Sequence, residues 1–290
     1  MAQRLNRSSL SHLAGTVQGP AYDPTQLVAG IVHIGIGAFH RAHQAVYVDA
    51  CLAEGDASWG IVGVSLRSSA MRDALAPQDC LYTLAQRDGS GETLKVIGSV
   101  MKVLVAPEDP QSVLAAMSSP QTRIVTLTVT EKAYPRNADG TLDVQDRTVA
   151  ADLANPDRPT GILGFLTEAL ARRMADGIPP FTVLSCDNLP ANGKTLHGLV
   201  TEFATLRDPE LGRYIEQNVA FPSSMVDRIV PATTDDDRQR VAQALGVEDA
   251  WPVVTEPSCN GWWKTISRWA GPPGNAMASR WWPMSPLSKR

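Results

Sequence analysis

Three short stretches of this chain carry residue types that could do chemistry. The first is Ile34-Gly35-Ile36-Gly37-Ala38-Phe39-His40-Arg41, where two glycines one residue apart follow an apolar run. The first glycine of such a pair makes a tight turn. The second lets the backbone approach a pyrophosphate, which then rests on the N-terminus of the following helix. The third glycine of that fingerprint is missing, and His40 stands in its place. A G-x-G after a strand also fits a tight turn with no ligand, so on spacing alone both readings stay open. His40 and His43 lie three apart on one helix face, a spacing that can hold a metal. No third ligand has a suitable spacing, and His33 is expected to point elsewhere from the preceding strand. The expectation is no metal, and a polar helix start at which Arg41 helps a phosphate.

The second stretch is Asp187-Asn188-Leu189-Pro190-Ala191-Asn192-Gly193, directly after the apolar run FTVLS. Open α/β sheets bind ligands outside the C-terminal ends of their strands, where these polar residues fall. An Asx-rich turn without a ligand would have the same composition. The third stretch is FPSSMVDRIVP at 221–231, in which Asp227 and Arg228 interrupt an apolar segment. A half-buried charged pair there is costly unless well hydrogen-bonded, and it is either structural or borders a site. A further position matters for cofactor choice. At the end of the second strand, Ser65, Leu66 and Arg67 stand where an acidic residue would meet an adenosine ribose. Either NAD is held without that carboxylate or Arg67 tolerates the 2′-phosphate of NADP.

The elements that must position these residues alternate between strand-like and helical patterns, which predicts crossover units on a mostly parallel sheet. Strands are expected over 31–36, 59–66, 123–130 and 181–185. Helices are expected over 40–53, after Ser68 to Pro77, from Asp109 to Met117 and over 161–175. Residues 81–106 read as an antiparallel insertion with its turn at 88–91, and 141–159 as a polar loop. The fold class is therefore α/β, a doubly wound sheet with an antiparallel insertion.

Composition bounds the function classes. Hydrophobic residues make up 43% and charged residues 19% of 290, globular values that argue against disorder. A net charge of -4 gives no electrostatic reason to expect nucleic acid as a partner. No apolar run is long enough to span a membrane, and 1–26 reads as a loose polar leader without a secretion signal. Cys51, Cys80, Cys186 and Cys259 show no paired spacing, which points to a reducing, cytoplasmic setting.

GIGAFHRAHQ at 35–44, VSLRSSAMRDALAPQDCLYTL at 64–84, VTEKAY at 129–134, SCDNLPANG at 185–193 and SSMVDRIVP at 223–231 occur in an order and spacing that resemble one family. It is the polyol-specific long-chain dehydrogenases, which include mannitol 2-dehydrogenases and fructuronate reductases. The resemblance runs from Leu27 to Pro257, the expected Rossmann-type domain. It implies a monomeric or weakly associating, metal-independent oxidoreductase that moves hydride between NAD and a polyol, ketose or sugar acid. It implies cofactor contacts from the Ile34–Arg41 turn, with Val226 near the nicotinamide. It also implies that Asn188 stabilises the developing oxyanion and that Asp227 lies close to nicotinamide and substrate.

The family's lysine base belongs to a K-x-x-x-x-N-x-x-H helix in a second, mainly helical domain, and these 290 residues contain no such motif. Five of the seven tryptophans fall after residue 260, in a segment with no helix or strand period. Shifting the frame at Asn260 lets the codons of 260–274 spell Trp-Val-Val-Glu-Asp-Asp-Phe-Ala-Val-Gly-Arg-Pro, which resembles what the family carries there. The expectation is that 258–290 is an out-of-frame tail in place of the helical substrate domain, and that the chain as it stands is inactive. Two alternatives remain at this point. One is a standalone nucleotide-binding or interaction module with the tryptophan-rich tail as its interface. The other is an active enzyme with Lys132, Lys194 or Asp227 as base.

Overall fold

A computed structural model describes residues 3–89, 91–224 and 228–256 of the chain. In chain order the strands are β1 (Ala29–Ile34), β2 (Gly60–Ser65), β3 (Tyr82–Asp88), β4 (Gly91–Ile97), β5 (Val100–Val105), β6 (Ile124–Leu127), β7 (Thr182–Ser185) and β8 (Val253–Thr255). The helices are α1 (Ala38–Ala42), α2 (Gln44–Ala53), α3 (Ala70–Leu75), α4 (Pro110–Ser118), α5 (Arg147–Ala154), α6 (Ile162–Ala175), α7 (Asn192–Arg207), α8 (Pro209–Asn218) and α9 (Asp235–Leu245). Five parallel strands form the main sheet in the order β5-β2-β1-β6-β7. Chain progress reverses between β1 and β6, so the crevice at the C-terminal ends of those two strands is the topological switch point.

Alternation along β1 assigns its residues to two cores. Val32 and Ile34 pack with α4, α6 and α7 on one face, whereas Ile31 joins Ala45, Val48 and Leu52 of α2 on the other. Strands buried on both faces are nearly all apolar, as β1 and β2 are. Helix starts follow their capping residues. Asp109, Asp146, Asp208 and Thr234 each accept a hydrogen bond from a backbone amide of the first turn of α4, α5, α8 and α9.

A second sheet, β4-β3-β8, lies against the α2 core through Tyr82, Leu84, Ile97 and Val253. The β3–β4 hairpin closes at Asp88 and Gly91, as expected. The rest of the expected insertion is corrected: β5 leaves the hairpin and runs parallel to β2, with Val64 opposite Leu104. Its alternate residues are needed to cover the edge of the main sheet, a pairing that local pattern does not encode.

Three further expectations are corrected. The single helix over 40–53 breaks at His43, whose backbone (φ -118°, ψ -92°) separates α1 from α2. The polar loop over 141–159 contains α5, anchored by Val149 against the main core. The leader is not loose. Leu5 is fully buried beside Leu81, Val241 and Leu245, and its amide donates to the Glu248 carbonyl at 2.8 Å. The expected tail, 258–290, lies outside the described residues. Among the described residues no helix is long and apolar enough to cross a membrane.

Candidate functional site

Gly35 leaves β1 with φ +96°, a conformation that costs a non-glycine residue free energy. A Cβ on Gly35 would also lie 2.1 Å from the Thr128 carbonyl oxygen at the end of β6. The turn thus requires glycine twice over, by dihedral and by contact. Its amide and that of Ile36 donate to the Val64 carbonyl at 2.9 and 3.3 Å, tying the turn to β2. Gly37 differs. Its backbone suits any residue, and a Cβ there would meet nothing closer than the Gly35 carbonyl at 3.8 Å. Gly37 occupies the N-cap of α1, and no side chain caps the first turn. Helix amides left uncapped above an open glycine fit a phosphate group, so the residues present suit a dinucleotide.

His40, at the position of the absent third glycine, is 1% exposed. Its ring stacks on His33 with centroids 3.4 Å apart and planes 14° from parallel. The expectation that His33 points elsewhere is corrected: strand alternation puts it on the Ile31 face, under α1. His33 meets Thr126 Oγ1 at 2.7 Å through Nδ1 and Thr128 Oγ1 at 2.9 Å through Nε2. Thr128 Oγ1 in turn donates to the Gly35 carbonyl at 2.8 Å. Because the Thr128 hydroxyl gives its proton to the Gly35 carbonyl, it accepts from His33, which places the proton of the neutral imidazole on Nε2. Burial holds both rings neutral, pushing His33 down to about 3 and His40 well below the usual histidine range. His43 stacks at 5.1 Å on Phe39 and is lowered to about 4, by burial first and then by the Arg228 charge.

Arg41 packs inward from α1. Its guanidinium is fully buried beside the Tyr82 ring, 5.1 Å from the centroid, and donates to the Trp251 carbonyl at 2.5 Å. Tyr82 returns a 2.6 Å bond to the Arg41 carbonyl. The side chain is committed to holding α1 on the second sheet.

The strand ends beside the turn are joined by one carboxylate. Asp187 Oδ1 accepts from the amides of Val129 at 2.8 Å and Thr130 at 3.0 Å, and Oδ2 accepts from the Tyr134 hydroxyl at 2.6 Å. Burial, then the neighbouring Asp187 charge, pushes the Tyr134 hydroxyl up, so it stays protonated and donates. Asn192 opens α7 and ties it to the following chain, its Nδ2 donating to the Asp187 and Ser224 carbonyls at 2.9 Å each. Gly193 is needed there because a Cβ would lie 2.4 Å from the Phe221 carbonyl oxygen. Asn188 itself is exposed at the rim.

Arg67 is exposed after β2, where Ser65 Oγ donates to the Ser68 carbonyl at 2.7 Å. Val226 and Asp227 lie outside the described residues. Arg228 is half-buried, and its Nε donates to Thr255 Oγ1 at 2.9 Å while Nη1 donates to the Ala42 carbonyl. That joins β8 to the end of α1, immediately behind the glycine turn. Thr126, Thr128, Tyr134 and Asp187 were missed as site residues. Only Asp187 carried a signal, its place after a buried strand.

Residues 29–263 match the family model described as the mannitol dehydrogenase Rossmann domain. The chain is 46% identical to a mannitol 2-dehydrogenase of Phaeosphaeria nodorum, covering 87% of this chain and 45% of that protein. A mannitol 2-dehydrogenase of Neosartorya fischeri is 44% identical, over 88% of this chain and 53% of its own length. Among solved structures, the Pseudomonas fluorescens mannitol 2-dehydrogenase in ternary complex with NAD and D-mannitol superposes with a TM-score of 0.85 at 43% identity, covering 88% of this chain and 53% of that one. A substrate-free D-sorbitol dehydrogenase gives 0.83 at 40% identity, over 87% and 53%. The chain therefore spans about half the length of the relatives it matches.

Proposed function

The chain belongs to the mannitol dehydrogenase family through its Rossmann domain, and on that premise we propose that residues 27–257 bind NAD and present it for hydride exchange with a polyol, ketose or sugar acid. One observation carries the proposal. At the switch point between β1 and β6, a glycine that nothing can replace is followed by one that leaves open space above an uncapped helix start. The NAD and D-mannitol of the Pseudomonas fluorescens complex support the choice of ligands. NADP stays within the proposal because Arg67, not a carboxylate, follows β2.

When bound, the nicotinamide supplies the hydride acceptor or donor. The chain's own residues do the rest. Gly37, Ala38, Phe39 and His40 at the start of α1 would hold the pyrophosphate by backbone, with Ile34 ending the strand and Gly35 and Ile36 shaping the turn through the Val64 carbonyl. Arg41 acts by packing. Asn188, exposed beside the β7 end, would donate its amide to the oxygen as negative charge develops. Val226 and Asp227 would border the nicotinamide.

Proton removal from a secondary alcohol needs a base. The 290 residues contain no K-x-x-x-x-N-x-x-H segment, and Lys132 and Lys194 are exposed. For these residues the proposal is cofactor binding as a monomer, with no turnover of a polyol by them alone. A reducing, cytoplasmic setting goes with it, supported by the free thiols of Cys51, Cys80 and Cys186. The test is titration with NADH and NADPH, followed by assay with fructose and fructuronate. Saturable binding without reduction of either ketone is expected. Absence of binding would overturn the function, and clear turnover would overturn the assignment of no base.

A further inference from the structure

We propose that Asp187 is a positioning residue for the nicotinamide end of the site, acting by holding Thr130 in a backbone conformation that threonine does not adopt unaided. The proposal rests on the dinucleotide reading above. Thr130 has φ +76° and ψ 156°, a region populated almost solely by glycine, and it is β-branched. Such a conformation is costly and persists only where the surroundings over-determine it. Here the surroundings are one carboxylate. Asp187 takes the amides of both Val129 and Thr130 on Oδ1, and on Oδ2 the hydroxyl of Tyr134, which closes the same loop from its far end. Ser185 Oγ, 2.8 Å from that hydroxyl, completes the cluster at the β7 end.

The strained residue lies two positions past Thr128, whose carbonyl touches the glycine turn and whose hydroxyl bonds it. Asp187 adjoins Asn188 in sequence, and its own carbonyl takes the Asn192 amide at the start of α7. One buried, charged acceptor therefore fixes both strand ends between which a nicotinamide would lie. The adenosine half would lie toward β2, on the other side of β1, and the Asp187 carboxylate bonds are all to the β6–Tyr134 segment. Amide bonds to a carboxylate are roughly twice as strong as neutral ones, which suits a group that opposes backbone strain.

The test compares NADH with ADP-ribose, which lacks the nicotinamide. In the full chain, Asp187→Asn should weaken NADH binding roughly tenfold and leave ADP-ribose binding within about twofold. Tyr134→Phe removes one donor and keeps both amide bonds, so it should shift the same ratio by less, and it serves if D187N folds poorly. Adding Thr130→Gly to D187N frees the positive φ and should restore most of the NADH affinity. Equal loss of both ligands, no loss of either, or no rescue by glycine would each overturn the assignment. A wild-type chain that binds neither ligand would overturn the dinucleotide reading as well, whereas binding of both with equal loss in D187N and Y134F overturns this assignment alone.

Discussion

The rings of His33 and His40 lie 3.4 Å apart and nearly parallel, so the residue that replaces the third glycine of the fingerprint is packed against the strand that precedes the turn. A glycine at that position allows helix and strand to approach closely. Here two flat, neutral rings fill the space, and His33 passes its position to the turn through Thr128.

Keeping those rings neutral sets a pH dependence. The folded values of His33 and His43, about 3 and about 4, and that of His40 lie below the ordinary 6.5 of an unfolded histidine. Between pH 6.5 and about 4 the unfolded chain binds more protons, so stability is complete above that range and falls as pH falls through it. The slope approaches roughly 1.4 kcal/mol per pH unit for each such histidine. Thermal unfolding from pH 7.5 to 5 should show it. His33→Asn should flatten the slope.

Gly35 and Gly37 should separate stability from binding. Gly35→Ala meets both a positive φ and the Thr128 carbonyl, and should destabilise the fold by about 2–4 kcal/mol in denaturant unfolding. NADH binding should vanish with it. An equal midpoint for this variant and wild type would show that the turn is not held as described.

Buried and exposed ion pairs should also differ. Asp49 is 1% exposed, bonds Lys95 Nζ at 2.7 Å, and accepts from the Tyr22 hydroxyl and the Gly98 amide. Asp49→Ala leaves those partners unpaired and should cost about 3–5 kcal/mol. Glu108→Ala, which removes an exposed partner of Arg72, should cost under about 1 kcal/mol. Urea midpoints of the two variants measure the contrast.

Arg41→Met should change the unfolding midpoint while leaving NADH affinity within about threefold, because the guanidinium is turned into the second sheet at Trp251. A loss of affinity well beyond that at unchanged stability would return Arg41 to the phosphate site.

What could be read in the sequence was what local chemistry decides. Two glycines after an apolar run announced the turn, Asp109 before Pro110 announced α4, and Asp88–Gly91 announced the hairpin. What could not be read depended on partners distant in the chain. β5 looks like a hairpin strand until β2 offers it a parallel edge. His33 and Arg41 change meaning once the crossover lays α1 over one face of β1 and against Tyr82. Asp187 looked like an Asx turn because its amide partners lie 57 and 58 residues upstream. The helical segments α7, α8 and α9 went unassigned in a stretch read for its polar motifs.

The central claim is that the open glycine at the switch point receives a dinucleotide. Gly37→Ala adds a methyl to a backbone that accepts one and to space that nothing fills. NADH titration of wild type and this variant, beside their unfolding midpoints, tests the claim most directly. The account predicts saturable wild-type binding and at least about tenfold weaker binding in Gly37→Ala at an unchanged midpoint. Equal affinity in the two, or no binding by wild type, would contradict it.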